Sequence, residues 1–175
     1  MHSKGLFLPD ELIKFYNNYW ENNQDKIKHH EVLGNVFNIK RMRLDNNTVP
    51  EILETQFILS EFAQIHFNNQ GISNKIVPND GYYILEYAKD SFARMHMDGL
   101  TGNGATTIAL LDKSEDLSGG YILVRKEESP DIKSFDVVEQ DIGEVVIYNT
   151  NVFHGVSKVN NGTRRVLVSW FNGKD

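Results

Sequence analysis

The sequence predicts an α+β protein in which amphipathic helices precede, and pack on one face of, a β-rich core of the jelly-roll or small-barrel kind. Three observations carry this. From Gly81 almost to the end, short runs of β-branched and aromatic residues alternate with turn residues. Before that point, two stretches repeat apolar residues at helical spacing. No repeat, low-complexity tract or linker divides the 175 residues, which predicts a single domain over 1–175.

Pro9 is suited to a helix start, with Asp10 and Glu11 in the first turn, where the helix dipole favours anions. Leu12, Ile13, Phe15, Tyr16, Tyr19 and Trp20 then form one apolar stripe, ended by the polar run from Glu21 to Asp25. His29 and His30 are adjacent, so on a strand they face opposite ways and do not make a metal pair. Val36 to Leu44 alternates as a strand. Thr48 and Glu51 stand at capping-box spacing, which predicts Thr48 as the N-cap of a helix running to about Phe67. Ile52, Leu53, Leu59, Phe62 and Ile65 give that helix its apolar residues, and His66 is expected at its boundary or surface.

The strands expected in the second half are Tyr82–Tyr87, Phe92–Met97, Thr106–Leu111, Gly120–Val124, Phe135–Val138, Val145–Tyr148, Val152–Val159 and Arg164–Phe171. Composition narrows the function. Eighteen basic residues against 24 acidic ones give a net charge of −6, with no basic block to grip nucleic-acid phosphates. Cysteine is absent, so thiolate metal sites and disulfides are excluded, which fits a reducing compartment. The first residues carry no apolar signal core, and no apolar run is long enough to span a bilayer; a cytoplasmic protein is the expectation.

The chemistry centres on Arg94-Met95-His96-Met97-Asp98-Gly99. On an extended strand, His96 and Asp98 project from the same face about 7 Å apart, near enough for both to reach one metal ion. His154 supplies a second imidazole. Two histidines and one carboxylate bind one face of a metal and leave the opposite positions open, the arrangement of non-haem Fe(II) oxygenases. The plain alternative is three unrelated polar residues in a non-catalytic, cupin-like module that binds a metal or small ligand.

From Tyr82 to Phe171 the chain resembles the Fe(II)/2-oxoglutarate-dependent dioxygenases, specifically the prolyl-4-hydroxylase-like group. The ordered features are a tyrosine-bearing strand, Phe92-x-x-x-His96-Met97-Asp98, the Thr106 to Leu111 strand, Leu117-Ser118-Gly119-Gly120, Gly143 to Tyr148, His154-Gly155-Val156, and Gly162-Thr163-Arg164 leading to Val168-Ser169-Trp170-Phe171. The resemblance implies a double-stranded β-helix (jelly roll) catalytic core over 81–172, with 1–80 as mainly helical support. It implies Fe(II), 2-oxoglutarate and O2 as cofactor and co-substrates, and hydroxylation of an unactivated C–H bond coupled to decarboxylation to succinate. It makes His96, Asp98 and His154 the metal ligands.

The far carboxylate of 2-oxoglutarate needs a buried cation. Strand alternation does not choose between Arg164 and Arg165, since both faces carry apolar residues; the resemblance favours Arg164, six residues before Trp170. Tyr87 matches a strand tyrosine that reaches the co-substrate, and a core tyrosine with its hydroxyl at the rim is the equal alternative. Thr106 is a candidate hydroxyl contact. Leu110 stands where many relatives carry a tyrosine, leaving part of the carboxylate's hydrogen bonding unassigned. Arg94 shares parity with His96 if the strand is straight, which would let it meet an anionic part of the substrate. Gly119 and Gly120 serve backbone geometry, and Met95 and Met97 point away from the metal as packing residues. Asp98 distinguishes the chain from related halogenases, and Arg165-Val166-Leu167 departs from the nucleobase-repair pattern. The expected partner is an amino acid, a peptide or a small metabolite, with Lys113–Leu117 and Lys126–Ser134 as substrate-facing loops.

Overall fold

The computed structural model describes residues 2–44, 48–99, 104–125 and 134–174, the side chain of residue 80 excepted. Strand β1 (His2–Phe7) leads to helix α1 (Asp10–Asn22), a 3-10 turn (Gln24–Lys26), the hairpin β2 (Lys28–Leu33) and β3 (Val36–Arg43), and helix α2 (Pro50–Asn68). Then follow β4 (Lys75–His96), β5 (Gly104–Lys113), β6 (Ser118–Gly119), β7 (Ile122–Arg125) and β8 (Phe135–Val138). The chain continues through β9 (Glu144–Asn149), β10 (His154–Val156), β11 (Val159–Asn161) and β12 (Arg164–Lys174).

The main sheet runs β1-β9-β5-β12-β4-β10-β7-β8, with β3 also on β4 and β2 on β3. It curls over itself because β4 belongs to two layers. The residues of β4 up to Tyr87 pair with β12, while Ala93 and His96 pair with β10. The corner lies between them: Asp90 adopts a φ of 71°, and the Ser91 hydroxyl accepts from the Ala88 amide and donates to the Asn38 carbonyl. The two strands expected at Tyr82–Tyr87 and Phe92–Met97 are the two arms of this bent strand. The result is the double-stranded β-helix expected from the sequence.

Side-chain alternation then creates two cores. On β12, Val166 and Val168 point between the layers with Leu85, Leu110, Val124 and Val146. Leu167 and Phe171 point the other way, towards Tyr16, Trp20, Ile52 and Leu59 of the helices. Both helices therefore cover the outer face of the larger layer. The α1 stripe is buried at Leu12, Ile13, Tyr16 and Trp20. Each such side chain contributes about 1.5–3 kcal/mol on burial. Asn17 fixes the docking by donating to the Leu111 carbonyl at 2.9 Å.

Several expectations change. The N-terminal half is not mainly helical: β1 pairs with β9, and β2 and β3 extend the sheet beyond β4. The polar and charged residues of β1 and β2 hide them, as is common for edge strands. Helix α2 begins without a side-chain cap: its N-cap is Val49, and a proline opens its first turn. Thr48 is thus not the N-cap. Val152–Val159 is not one strand but β10 followed, after a break, by β11. His66 is not at the surface; it is 2% exposed and joins α2 to β1 and β9, contacting Ser3 Oγ at 2.9 Å and Asn149 Oδ1 at 2.8 Å. Among the described residues no helix is long and apolar enough to cross a membrane.

Candidate metal and co-substrate site

His96 ends β4 and faces His154 of β10 directly across the strand pair, with ring centroids 4.5 Å apart. The approach is close enough to require glycine next to His154: a Cβ on Gly155 would stand 2.8 Å from the Ala93 carbonyl oxygen. Asp98 lies just past β4 and is tied back by its amide, which donates to the Thr150 carbonyl at 3.1 Å.

The three side chains converge on one point. Asp98 Oδ1 stands 3.4 Å from His96 Nε2 and 3.2 Å from His154 Nε2, and the candidate ligand atoms lie within 4.8 Å of one another. Neighbouring ligands about 2.1 Å from one metal stand about 3 Å apart, so the set fits a single divalent ion. Each remaining polar atom is committed elsewhere. His96 Nδ1 donates to the Arg94 carbonyl at 2.6 Å and His154 Nδ1 to the Val152 carbonyl at 2.9 Å, leaving both Nε2 lone pairs for a metal. Thr106 Oγ1 and Trp170 Nε1 donate to Asp98 Oδ2, the latter at 3.1 Å. Burial works to raise the Asp98 pKa, but the neighbouring His154 and His96 and the Thr106 hydroxyl outweigh it and hold the carboxyl well below its usual range. Burial also pulls His96 down, yet Asp98 and the Arg94 carbonyl raise it above its ordinary value. The site is set up for positive charge.

Arg164 and Arg165 separate cleanly. Arg165 points to the helix side, where it pairs with Glu86 at 2.8 Å and Glu21 at 3.0 Å and lies over the Trp20 ring. Arg164 points between the layers and is 5% exposed. It donates to the Gly120 carbonyl and, at 3.0 Å, to Gln140 Oε1, while its Nε is buried without a partner. Burial pushes its pKa down to about 10, so it stays charged at neutral pH. No carboxylate pairs with it among the described residues. A buried cation without an anion is costly, and a dicarboxylate end supplies what is missing. Gly119 and Gly120 do serve backbone geometry, with φ of 80° and 70°, and Gly120 also presents its carbonyl to Arg164.

Two tyrosines feel both Arg164 and Asp98. Tyr87 is buried, with the Arg164 guanidinium 5.9 Å from its ring; burial, offset in part by Arg164, pushes its pKa up to about 12. Tyr148 stacks on His154 at 4.3 Å, and burial raises its pKa well above normal. Both hydroxyls are neutral donors in the space between metal ligands and guanidinium. Sequence reasoning missed Tyr148, although its parity with Val146 on β9 was the available signal. Gln140, which sits in a turn and donates to the Ile108 and Glu144 carbonyls, left no pattern to read. Leu110 is buried in the inter-layer core and offers no side-chain hydrogen bond.

The remaining candidates lie apart. A bulge in β4 between Ala93 and His96 breaks the parity that joined Arg94 to His96. Arg94 is exposed, with its guanidinium 4.6 Å from the Phe37 ring. Met95 and Met97 are 36% and 46% exposed, so they are not packing residues. His29 bonds Asn38, away from the ligands. Lys113, Ser114, Glu115 and Leu117 border a cavity of about 590 Å³ at Arg164, not the metal. Of the other expected loop, residues 126–133 lie outside the described residues. A separate cavity of about 410 Å³ touches His96, Asp98 and Trp170.

Residues 82–172, just over half of the chain, match the model of the 2OG-Fe(II) oxygenase superfamily. No curated protein matches the chain in sequence. Among solved structures it is similar to a Pseudomonas putida prolyl-4-hydroxylase, with a TM-score of 0.75 at 14% identity, covering 99% of this chain and 93% of that one. The viral collagen prolyl hydroxylase of Paramecium bursaria Chlorella virus-1, solved with 2-oxoglutarate, gives 0.70 at 14% identity over 99% and 96%. The α-ketoglutarate-dependent epimerase SnoN of nogalamycin biosynthesis gives 0.74 at 11% identity over 98% and 77%. These likenesses carry the fold, and the family match falls on the half of the chain that holds the His-Asp-His set and Arg164. The chain belongs to the 2OG-Fe(II) oxygenase superfamily, enzymes that use Fe(II), 2-oxoglutarate and O2.

Proposed function

We propose that the protein hydroxylates an unactivated C–H bond of an amino acid, a peptide or a small metabolite, as a cytoplasmic enzyme of one domain. With 2-oxoglutarate and O2, the iron would supply the oxidising power, decarboxylating the co-substrate to succinate and transferring oxygen to the substrate. His96, Asp98 and His154 would hold the metal. Thr106 and Trp170 fix the Asp98 carboxylate so that Oδ1 faces the metal. This replaces the direct co-substrate contact expected of Thr106. Arg164 binds the far carboxylate, with Tyr87 and Tyr148 as hydroxyl donors along the way; Tyr148 takes the part that Leu110 cannot.

The observation that carries this reading is the buried Arg164, which no carboxylate pairs among the described residues and which Tyr87 and Tyr148 connect to the ligand set. The retained carboxylate at Asp98 favours hydroxylation over halogenation, because it occupies the position a halide would need. The absence of cysteine fits the cytoplasm. The test is a mass-spectrometric screen of free amino acids, proline-containing peptides and small metabolites with the Fe(II) protein, 2-oxoglutarate and O2. A product that has gained one oxygen, matched by succinate, supports the reading. Succinate together with an isomerised or desaturated product would replace hydroxylation by another oxidation.

A further inference from the structure

The cavity beside the metal set has a chemical character of its own. Its walls include Ile39, Leu85, Tyr83 and Trp170, and its one strongly basic side chain is Arg41. An aromatic path links that arginine to the metal set: Arg41 lies 4.9 Å from the Tyr83 ring, Tyr83 meets Trp170 edge-on at 5.7 Å, and Trp170 donates to Asp98. The guanidinium is thus held on a ring face at the wall of the cavity.

Among the described residues no carboxylate pairs with Arg41, and its direct cross-strand partner is another cation, Lys28. Like charges directly opposite one another destabilise a strand pair. His30, opposite Ile39 on the same hairpin, has its Nε2 buried without a partner, and burial followed by Arg41 and Lys28 lowers its pKa. Arg41 alone of the three borders the metal cavity, in a chain whose net charge is −6.

We propose that Arg41 is the specificity residue for a small substrate bearing a free carboxylate, whose apolar body lies along Tyr83 and Trp170 towards the metal. A single planar fork held on a ring matches the two oxygens of a carboxylate. Arg94, exposed over Phe37, is not part of this wall. The inference rests on the oxygenase reading, which substrate-free turnover of 2-oxoglutarate checks separately.

The experiment compares N-acetyl amino acids with their C-terminal amides as stimulants of succinate formation by the Fe(II) protein. At least one acid is expected to stimulate, and its amide to act at least tenfold more weakly. Arg41→Gln should raise the concentration needed of that acid at least tenfold and erase the preference over the amide, while Arg41→Lys recovers part of both. Substrate-free turnover and the apparent affinity for 2-oxoglutarate should be unchanged in both variants. Lys40→Gln, which removes a cation from the other face of β3, should leave the preference intact. Equal stimulation by acids and amides, stimulation by no acid, or an Arg41→Gln variant that keeps the preference would each overturn the assignment. Loss of substrate-free turnover in the wild-type protein would instead remove the oxygenase reading itself.

Discussion

Arg164 and Arg165 are neighbours on β12, yet they enter opposite electrostatic surroundings. Arg165 faces Glu86 and Glu21 on the helix side, whereas Arg164 meets the Gly120 carbonyl, the Gln140 amide and the Tyr87 ring between the layers, with no carboxylate among the described residues. One arginine ties the helices to the sheet, and the other is the one proposed to bind 2-oxoglutarate.

Their alanine variants should therefore fail differently. Arg164→Ala leaves the far carboxylate of 2-oxoglutarate desolvated and unpaired, a loss of about 3–5 kcal/mol by comparison with broken buried pairs. The affinity for 2-oxoglutarate should fall by about two to three orders of magnitude, with iron binding little changed. Arg165→Ala should bind 2-oxoglutarate normally but unfold more easily. Its cost is set at about 2 kcal/mol, below that of an isolated buried pair, because Lys40 still pairs with Glu86. Titration of each anaerobic Fe(II) protein and denaturant melts separate the two effects.

Thr106→Val and Trp170→Phe each remove one donor to Asp98 Oδ2, the first at nearly constant shape and the second keeping an aromatic ring. Each should weaken metal binding by about 10–100-fold, the usual consequence of losing a partner that orients a ligand. Competition with a metal-binding dye reads the change. Undiminished affinity in both variants would mean that the carboxylate is oriented by other groups.

Tyr148→Phe tests the donor that stands in for Leu110. A hydrogen bond to a charged group contributes about 1.5–3 kcal/mol, so 2-oxoglutarate affinity should drop by about 10–100-fold. Thermal stability should hold, since the ring and its stacking on His154 remain.

His66 gives the fold a pH dependence. His66 has only uncharged partners among the described residues: Ser3 Oγ at 2.9 Å from Nδ1, and Asn149 Oδ1 and Gln70 Nε2 each at 2.8 Å from Nε2. The ring is satisfied as the neutral form, and burial lowers its pKa despite the Asn149 contact. A lowered histidine makes no difference above the unfolded pKa of about 6.5 and destabilises as pH falls below it, because the unfolded chain takes the proton first. Unfolding free energy should decline below about pH 6.5 by up to about 1.4 kcal/mol per pH unit from this group. His66→Gln should be less stable at neutral pH but flatter in that range; an unchanged slope would place the titration elsewhere.

The convergence of His96, Asp98 and His154 was legible because an H-x-D pair at the end of a strand followed by a second histidine is a spacing suited to one metal ion. The choice between Arg164 and Arg165 was not, because Val166, Leu167 and Val168 are buried on both faces of a sheet covered by helices on one side and a second layer on the other. The same double burial hid Tyr148 within an apolar run. The hairpin carrying Arg41 reads as polar surface until β3 is seen beside β4, and the bulge that sets Arg94 apart has no sequence signature. His66 was misjudged because a lone histidine at a helix end gives no hint of Ser3 or Asn149, both distant in the chain.

Succinate formation tests the central claim most directly. Purified protein with Fe(II), 2-oxoglutarate and O2 should convert 2-oxoglutarate to succinate, slowly without substrate, and chelation of the metal should stop it. Replacing His96, Asp98 or His154 with alanine should abolish the reaction while the fold persists, since these residues line an open site. No succinate from the metal-loaded wild-type protein, or undiminished succinate in two of the three variants, would contradict the account.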